Sequence, residues 1–130
     1  MYTPVFRFIC LALIAVSASG CLVAAGAAGG AAGVIYIKGN VKDYLDYSVP
    51  QIHVAAEKAL TNEGLTLSLN RVDESSARLE SEYADGKNIT VNIERVTREG
   101  SQISIRVGAA GDNQRALRIL SNIEYFLEGN

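Results

Sequence analysis

Cys21 is the residue whose type and placement offer the clearest chemistry. It closes Ala18-Ser19-Gly20-Cys21, directly behind an apolar run. Small side chains at the end of an apolar N-terminal stretch are the features of a secretory cleavage site. A cysteine at that point is placed to become the first residue of the mature chain and to carry lipid. Acyl chains, palmitate among them, contribute about 0.8 kcal/mol per buried CH₂, and two or more give stable membrane anchoring.

Other reactive types are sparse. His53 is the single histidine. Catalysis would need it paired with a nucleophile or a carboxylate, and a metal would need further His or Cys ligands. The expectation is a partly exposed helix histidine. Asp73, Glu74, Glu80 and Glu82 are the nearest approach to a carboxylate cluster. Acid–base work needs carboxylates in a desolvated cleft with their pKa values set apart. Glu80 and Glu82 fall instead on one face of a strand beside Arg78, where weak solvated ion pairs are expected. Gly108-Ala109-Ala110-Gly111-Asp112 runs from strand to helix, as a phosphate loop does, but it lacks both the Gly-Lys-Ser/Thr and the G-x-G-x-x-G spacing. It reads as a tight turn with Asp112 as N-cap, and Arg106 is placed to pair with Asp112 and fix that corner. The sequence supplies no catalytic set, no metal site and no cofactor motif, so the expectation is a protein that is not an enzyme.

The segment that must position Cys21 is residues 1–20. Arg7 is the only charge before Lys38. The apolar core, Phe8 to Val16, is shorter than the roughly 20 residues a membrane-spanning helix needs. Cys10 lies inside this segment and would leave with it, so no disulfide is expected. Leu22, rather than Asp, follows Cys21; by resemblance to bacterial lipoproteins this implies export to the outer membrane, with the domain facing the periplasm. An uncleaved helix from Val5 onward is the alternative.

Residues 22–33 are almost wholly Ala and Gly. Gly26 and Gly30, and Gly29 and Gly33, are spaced four apart, which lets helix backbones approach closely within a membrane. The same composition also suits a flexible tether. The expected organisation is a signal peptide over 1–20, a lipidated Gly/Ala-rich linker over 21–47 and a small domain over 48–130.

The whole chain of 130 residues carries 12 basic and 14 acidic side chains. Arg7 is the only charge in residues 1–20, so the remainder has 11 basic against 14 acidic, a net charge of −3. That length supports one domain. A mildly acidic chain without a basic patch gives no case for nucleic acid.

Val34 to Lys38 reads as a short extended segment, and Asn40 to Tyr47 as a mixed one that either pairs with a sheet edge or wraps the domain. Ser48, Pro50 and Gln51 form a capping signature for a helix that carries Ile52, Ala55, Ala56, Ala59 and Leu60 on one face and stops at Gly64. The period then changes from 3.6 to 2. Leu65/Leu67/Leu69, Ala77/Leu79/Ser81/Tyr83, Ile89/Val91/Ile93 and Ile103/Ile105/Val107 alternate with polar residues, separated by turn clusters at 73–76, 85–86 and 98–101. Asp112 opens a last helix striped by Ala116, Ile119, Leu120, Ile123 and Leu127. The expected fold is α+β, a two-layer sandwich of a four-stranded antiparallel meander covered on one face by two helices. Its open face is polar. Arg78, Glu80, Thr90, Asn92 and Arg106 on that face are the candidate partner-binding residues, toward an envelope protein.

Several stretches carry a family resemblance: the cysteine followed by a Gly/Ala run, Tyr36-Ile37-Lys38-Gly39, Ala84-Asp85-Gly86-Lys87, and Ile105-Arg106-Val107-Gly108 with Gly111-Asp112 and Ile119-Leu120. In these the chain resembles small bacterial lipoproteins of domain-of-unknown-function family 3568. Ala110 and Ala116 depart from the family's pattern. The resemblance implies an anchored envelope protein and assigns no activity. The competing expectation is a membrane-inserting or oligomerising protein acting through the helix of Gly26, Gly29, Gly30 and Gly33.

Overall fold

The computed structural model describes residues 34–129. Cys21, Gly26, Gly29, Gly30 and Gly33 lie outside the described residues. In the unit from Val34 onward the chain forms β1 (Ile35–Ile37), β2 (Asn40–Leu45), α1 (Val49–Asn62), β3 (Leu67–Val72), β4 (Ser76–Glu82), β5 (Asn88–Arg95), β6 (Ser101–Val107) and α2 (Asn113–Glu128). The six strands make one antiparallel sheet in the order β1-β2-β6-β5-β4-β3.

The expected meander of four strands is thereby corrected to six. The α+β class and the run from β3 to β6 stand, but β1 and β2 extend the sheet beyond β6. Lys38 and Gly39 link them in a two-residue turn with φ of 48° and 78°, the backbone a tight hairpin needs to match strand twist. Of the two alternatives for residues 40–47, sheet pairing holds: Val41 sits opposite Ile105 and Asp43 opposite Ile103. Val41, Asp43 and Leu45 are the buried residues of β2. A carboxylate in the middle of that triplet hides the alternation from a hydrophobicity reading.

α1 begins where the sequence requires. The Ser48 side chain accepts from Gln51 N–H, and Gln51 Oε1 accepts from Ser48 N–H at 3.0 Å. Two backbone donors that the helix cannot satisfy itself are thus paired. At the other end Gly64, with φ of 77°, lets Leu65 N–H close onto Leu60 C=O at 3.1 Å. α2 starts on Asp112, which accepts from Arg115 N–H at 3.1 Å.

Ile52 and Leu60 of α1, Ile119 and Ile123 of α2, and Leu79, Ile89, Val91, Ile93, Ile103 and Ile105 of the sheet are fully buried between the layers. Each such aliphatic side chain contributes about 1.5–3 kcal/mol on leaving water, so the helices are held by their stripes rather than by intrinsic propensity. Between Leu67 and Leu69 the β3–β4 register shifts: Leu67 pairs with Ser81, but Leu69 pairs with Glu80. This bulge overturns the expected single apolar face of Leu65, Leu67 and Leu69. It moves Leu69 to the open face and brings Asn70 to the helix side, opposite Leu79.

Candidate functional site

The open face of the sheet is built from rows of cross-strand neighbours. One row runs Arg71, Arg78, Asn92, Ser104, Lys42. The next runs Leu69, Glu80, Thr90, Arg106. All five candidate residues therefore lie on this face as cross-strand neighbours: Asn92 stands opposite Arg78, and Thr90 opposite Glu80. Thr90 also faces Arg106 on β6. Arg78 and Glu80 pair within β4 at 2.6 Å. Small polar residues thus fill the centre of the face, with charged ones around them. Lys42 and Tyr44 also belong to the β2 part of it; sequence reasoning does not reach them because it leaves residues 40–47 open between pairing with a sheet edge and wrapping the domain.

Arg106 has a different role from the expected one. It does not pair with Asp112. Its guanidinium donates to Lys38 C=O at 3.0 Å and to Ala109 C=O. It therefore ties the β1–β2 turn to the loop between β6 and α2. Two glycines make that approach possible. A Cβ on Gly39 would lie 2.9 Å from Ala110 O, and one on Gly111 would lie 2.9 Å from the Gly39 carbonyl carbon.

Asp112 instead joins an ionic cluster at the start of α2. Arg115 pairs with Asp85 at 2.7 Å and with Asp112 at 3.5 Å, and Lys87 reaches Asp112 at 3.5 Å. The Arg115 side-chain hydrogen bond holds Asp85 below the usual carboxylate range. The Arg115 backbone N–H, then Lys87, do the same for Asp112. The Arg115 guanidinium also lies 4.7 Å over the Tyr83 ring. Tyr83 donates to Glu63 at 3.2 Å, and Asn122 donates to the same carboxylate at 2.7 Å. Burial and the adjacent Glu63 charge push the Tyr83 hydroxyl up to about 12. These contacts lock the end of α1, the end of β4 and the middle of α2 together.

His53 is corrected as well: it is buried, at 7 % exposure, not partly exposed. Nε2 meets Asn70 Oδ1 at 2.6 Å, and Asn70 Nδ2 donates to Glu57. The bulge in β3 supplies this partner, and no sequence signal marks it. The histidine bonds an amide rather than a hydroxyl or thiol, so the group closes α1 onto β3. Among the described residues no set of three or more His, Cys, Asp or Glu side chains is grouped to hold a metal ion, and no helix is long and apolar enough to cross a membrane.

The pattern of a family described as a protein of unknown function (DUF3568) matches residues 4–125. No curated protein matches the chain.

Proposed function

The chain belongs to the DUF3568 family, and from that premise we propose that it is a lipid-anchored cell-envelope protein. Cys21 carries the lipid, the domain faces the periplasm from the outer membrane, and it acts as a binding or structural module. The observation that carries this reading is the succession of parts. A cysteine behind small residues is followed by a charge-free Gly/Ala segment, and a separate unit with its own core begins at Val34. A tether of that composition needs no packing of its own, and the unit behind it holds a complete core.

The partner-binding part of the proposal rests on the open face. Thr90, Asn92 and Ser104 leave a low centre, and Arg78, Glu80 and Lys42 supply charge of both signs around it. Such a surface suits a polar protein partner, because charge complementarity selects orientation more than it adds affinity.

Cell fractionation tests the anchor. Wild type is expected in the outer-membrane fraction, and Cys21→Ala is expected to lose that fractionation. A photo-crosslinking residue at Asn92 is expected to capture one envelope protein, and the same residue at exposed Tyr125 on α2 is expected to capture none. Equal capture at both positions overturns the open face as the binding surface. Substitution of Gly26, Gly29, Gly30 and Gly33 by Leu is expected to leave both results unchanged. Loss of an oligomer in that variant would favour the glycine-zipper reading.

A further inference from the structure

Asp43 occupies a position that ordinarily belongs to an aliphatic residue. It lies on the core side of β2 between Val41 and Leu45, opposite Ile103, with 2 % of its surface exposed. Its Oδ1 accepts the N–H of Tyr44 at 2.8 Å, and its Oδ2 is buried with no donor. An unpaired buried oxygen of this kind is costly, because desolvation is not offset by any hydrogen bond.

The group that reaches Asp43 is Glu124 of α2, a second carboxyl. Among the described residues, no cation is among the charges that act on Glu124. The core-side residues of β6 are Ser101, Ile103, Ile105 and Val107. On α1, His53 is held by Asn70, while the C-cap Glu63 is held by Tyr83 and Asn122. Lys42, next to Asp43 in sequence, pairs with Ser104 on the open face. The charges acting on Glu124 are those of Asp43 and Glu128, both negative. Two carboxylates in contact, without a cation, have one simple way to satisfy the free oxygen: a proton held between them.

We propose that Asp43 and Glu124 form a proton-binding site in which the Glu124 carboxyl donates to Asp43 Oδ2, and that this proton clamps α2 onto the β1–β2 hairpin. Burial first, and then the charge of Asp43, raise Glu124 above the usual glutamate range. The folded state therefore binds the proton more tightly than the unfolded chain. The stabilisation is complete below the ordinary glutamate pKa and is lost as pH rises through the raised value. When the proton leaves, like charges oppose each other across the interface, and the hairpin through which the chain enters the sheet is held less firmly.

The test uses the full chain in detergent micelles, as wild type, Glu124→Gln and Asp43→Asn. Infrared spectra of wild type are expected to show the carbonyl stretch of a buried protonated carboxyl that disappears as pH rises; both variants should lack it. The wild-type melting temperature is expected to fall by roughly 5 °C between pH 5 and pH 8 relative to Glu124→Gln, whose amide donates to Asp43 at every pH. If Asp43→Asn does not fold, the Glu124→Gln comparison decides alone. A pH slope in Glu124→Gln equal to that of wild type, or an unchanged protonated-carboxyl band in it, overturns the proposal. So does stabilisation by calcium at pH 8 in wild type alone, which would make the pair a metal site.

Discussion

Gly39 and Gly111 meet backbone against backbone beside the Arg106–Lys38 contact, which joins residues 68 apart in the chain: a Cβ on Gly39 would stand 3.1 Å from Gly111 Cα. Both residues have positive φ, 78° and 83°. The β1–β2 turn and the loop leading into α2 therefore touch only because neither residue has a side chain.

Gly111→Ala is expected to cost more than the approximately 1–3 kcal/mol that left-handed backbone alone imposes on a residue with a Cβ, because the new atom also meets Gly39. Gly64→Ala is the matched control. Its φ is 77° and nothing lies within 4 Å of the added atom. Urea melts of the two variants measure the difference. Equal losses would mean that the two loops do not hold this contact in solution.

Arg106→Ala is expected to lower stability by about 1.5–3 kcal/mol, the range for hydrogen bonds from a charged donor. Arg106→Lys should recover little of it, since one ammonium does not reproduce a planar fork spanning two carbonyls. Thermal melts check this. An unchanged melting temperature in Arg106→Ala would return Arg106 to the set of partner-binding residues.

Ser48→Ala removes one half of the reciprocal cap on α1 and leaves the Gln51 N–H without its acceptor. The expected loss is about 1 kcal/mol, measured by urea unfolding. A loss below a few tenths would show that water replaces the hydroxyl at this helix start.

Asp85 and Asp112 both sit below the usual carboxylate range in the folded state, through Arg115 and Lys87. A depressed folded pKa gives stability that is present above the unfolded value and is lost as pH falls through the folded one. Acid titration of the melting temperature below pH 5 should therefore show a steeper fall in wild type than in Arg115→Gln. Parallel curves would mean that the cluster does not influence acid unfolding.

Local signals were legible and long-range ones were not. The Ser48 cap, the Gly64 stop and the alternation of β4, β5 and β6 rest on residues a few positions apart, and they hold. Arg78, Glu80, Thr90 and Asn92 fall together because period 2 fixes the face of every residue once a strand is identified. β2 stays undecided between pairing and wrapping in the sequence because Asp43 interrupts its apolar face and the turn before it is Lys-Gly rather than Asn-Gly. The bulge between Leu67 and Leu69 escaped because the sequence goes on alternating through it. Arg106 was assigned a carboxylate six residues away, whereas one of its partners is a carbonyl from the opposite end of the domain, and composition carries no trace of that.

The central claim is the anchor, and the intact mass of the protein extracted from its native membrane tests it most directly, beside Cys21→Ala. The account predicts a mass equal to residues 21–130 plus acyl chains, and no such species in the variant. A mass equal to the uncleaved chain would contradict it and make the N-terminal Gly/Ala-rich segment a membrane-spanning element.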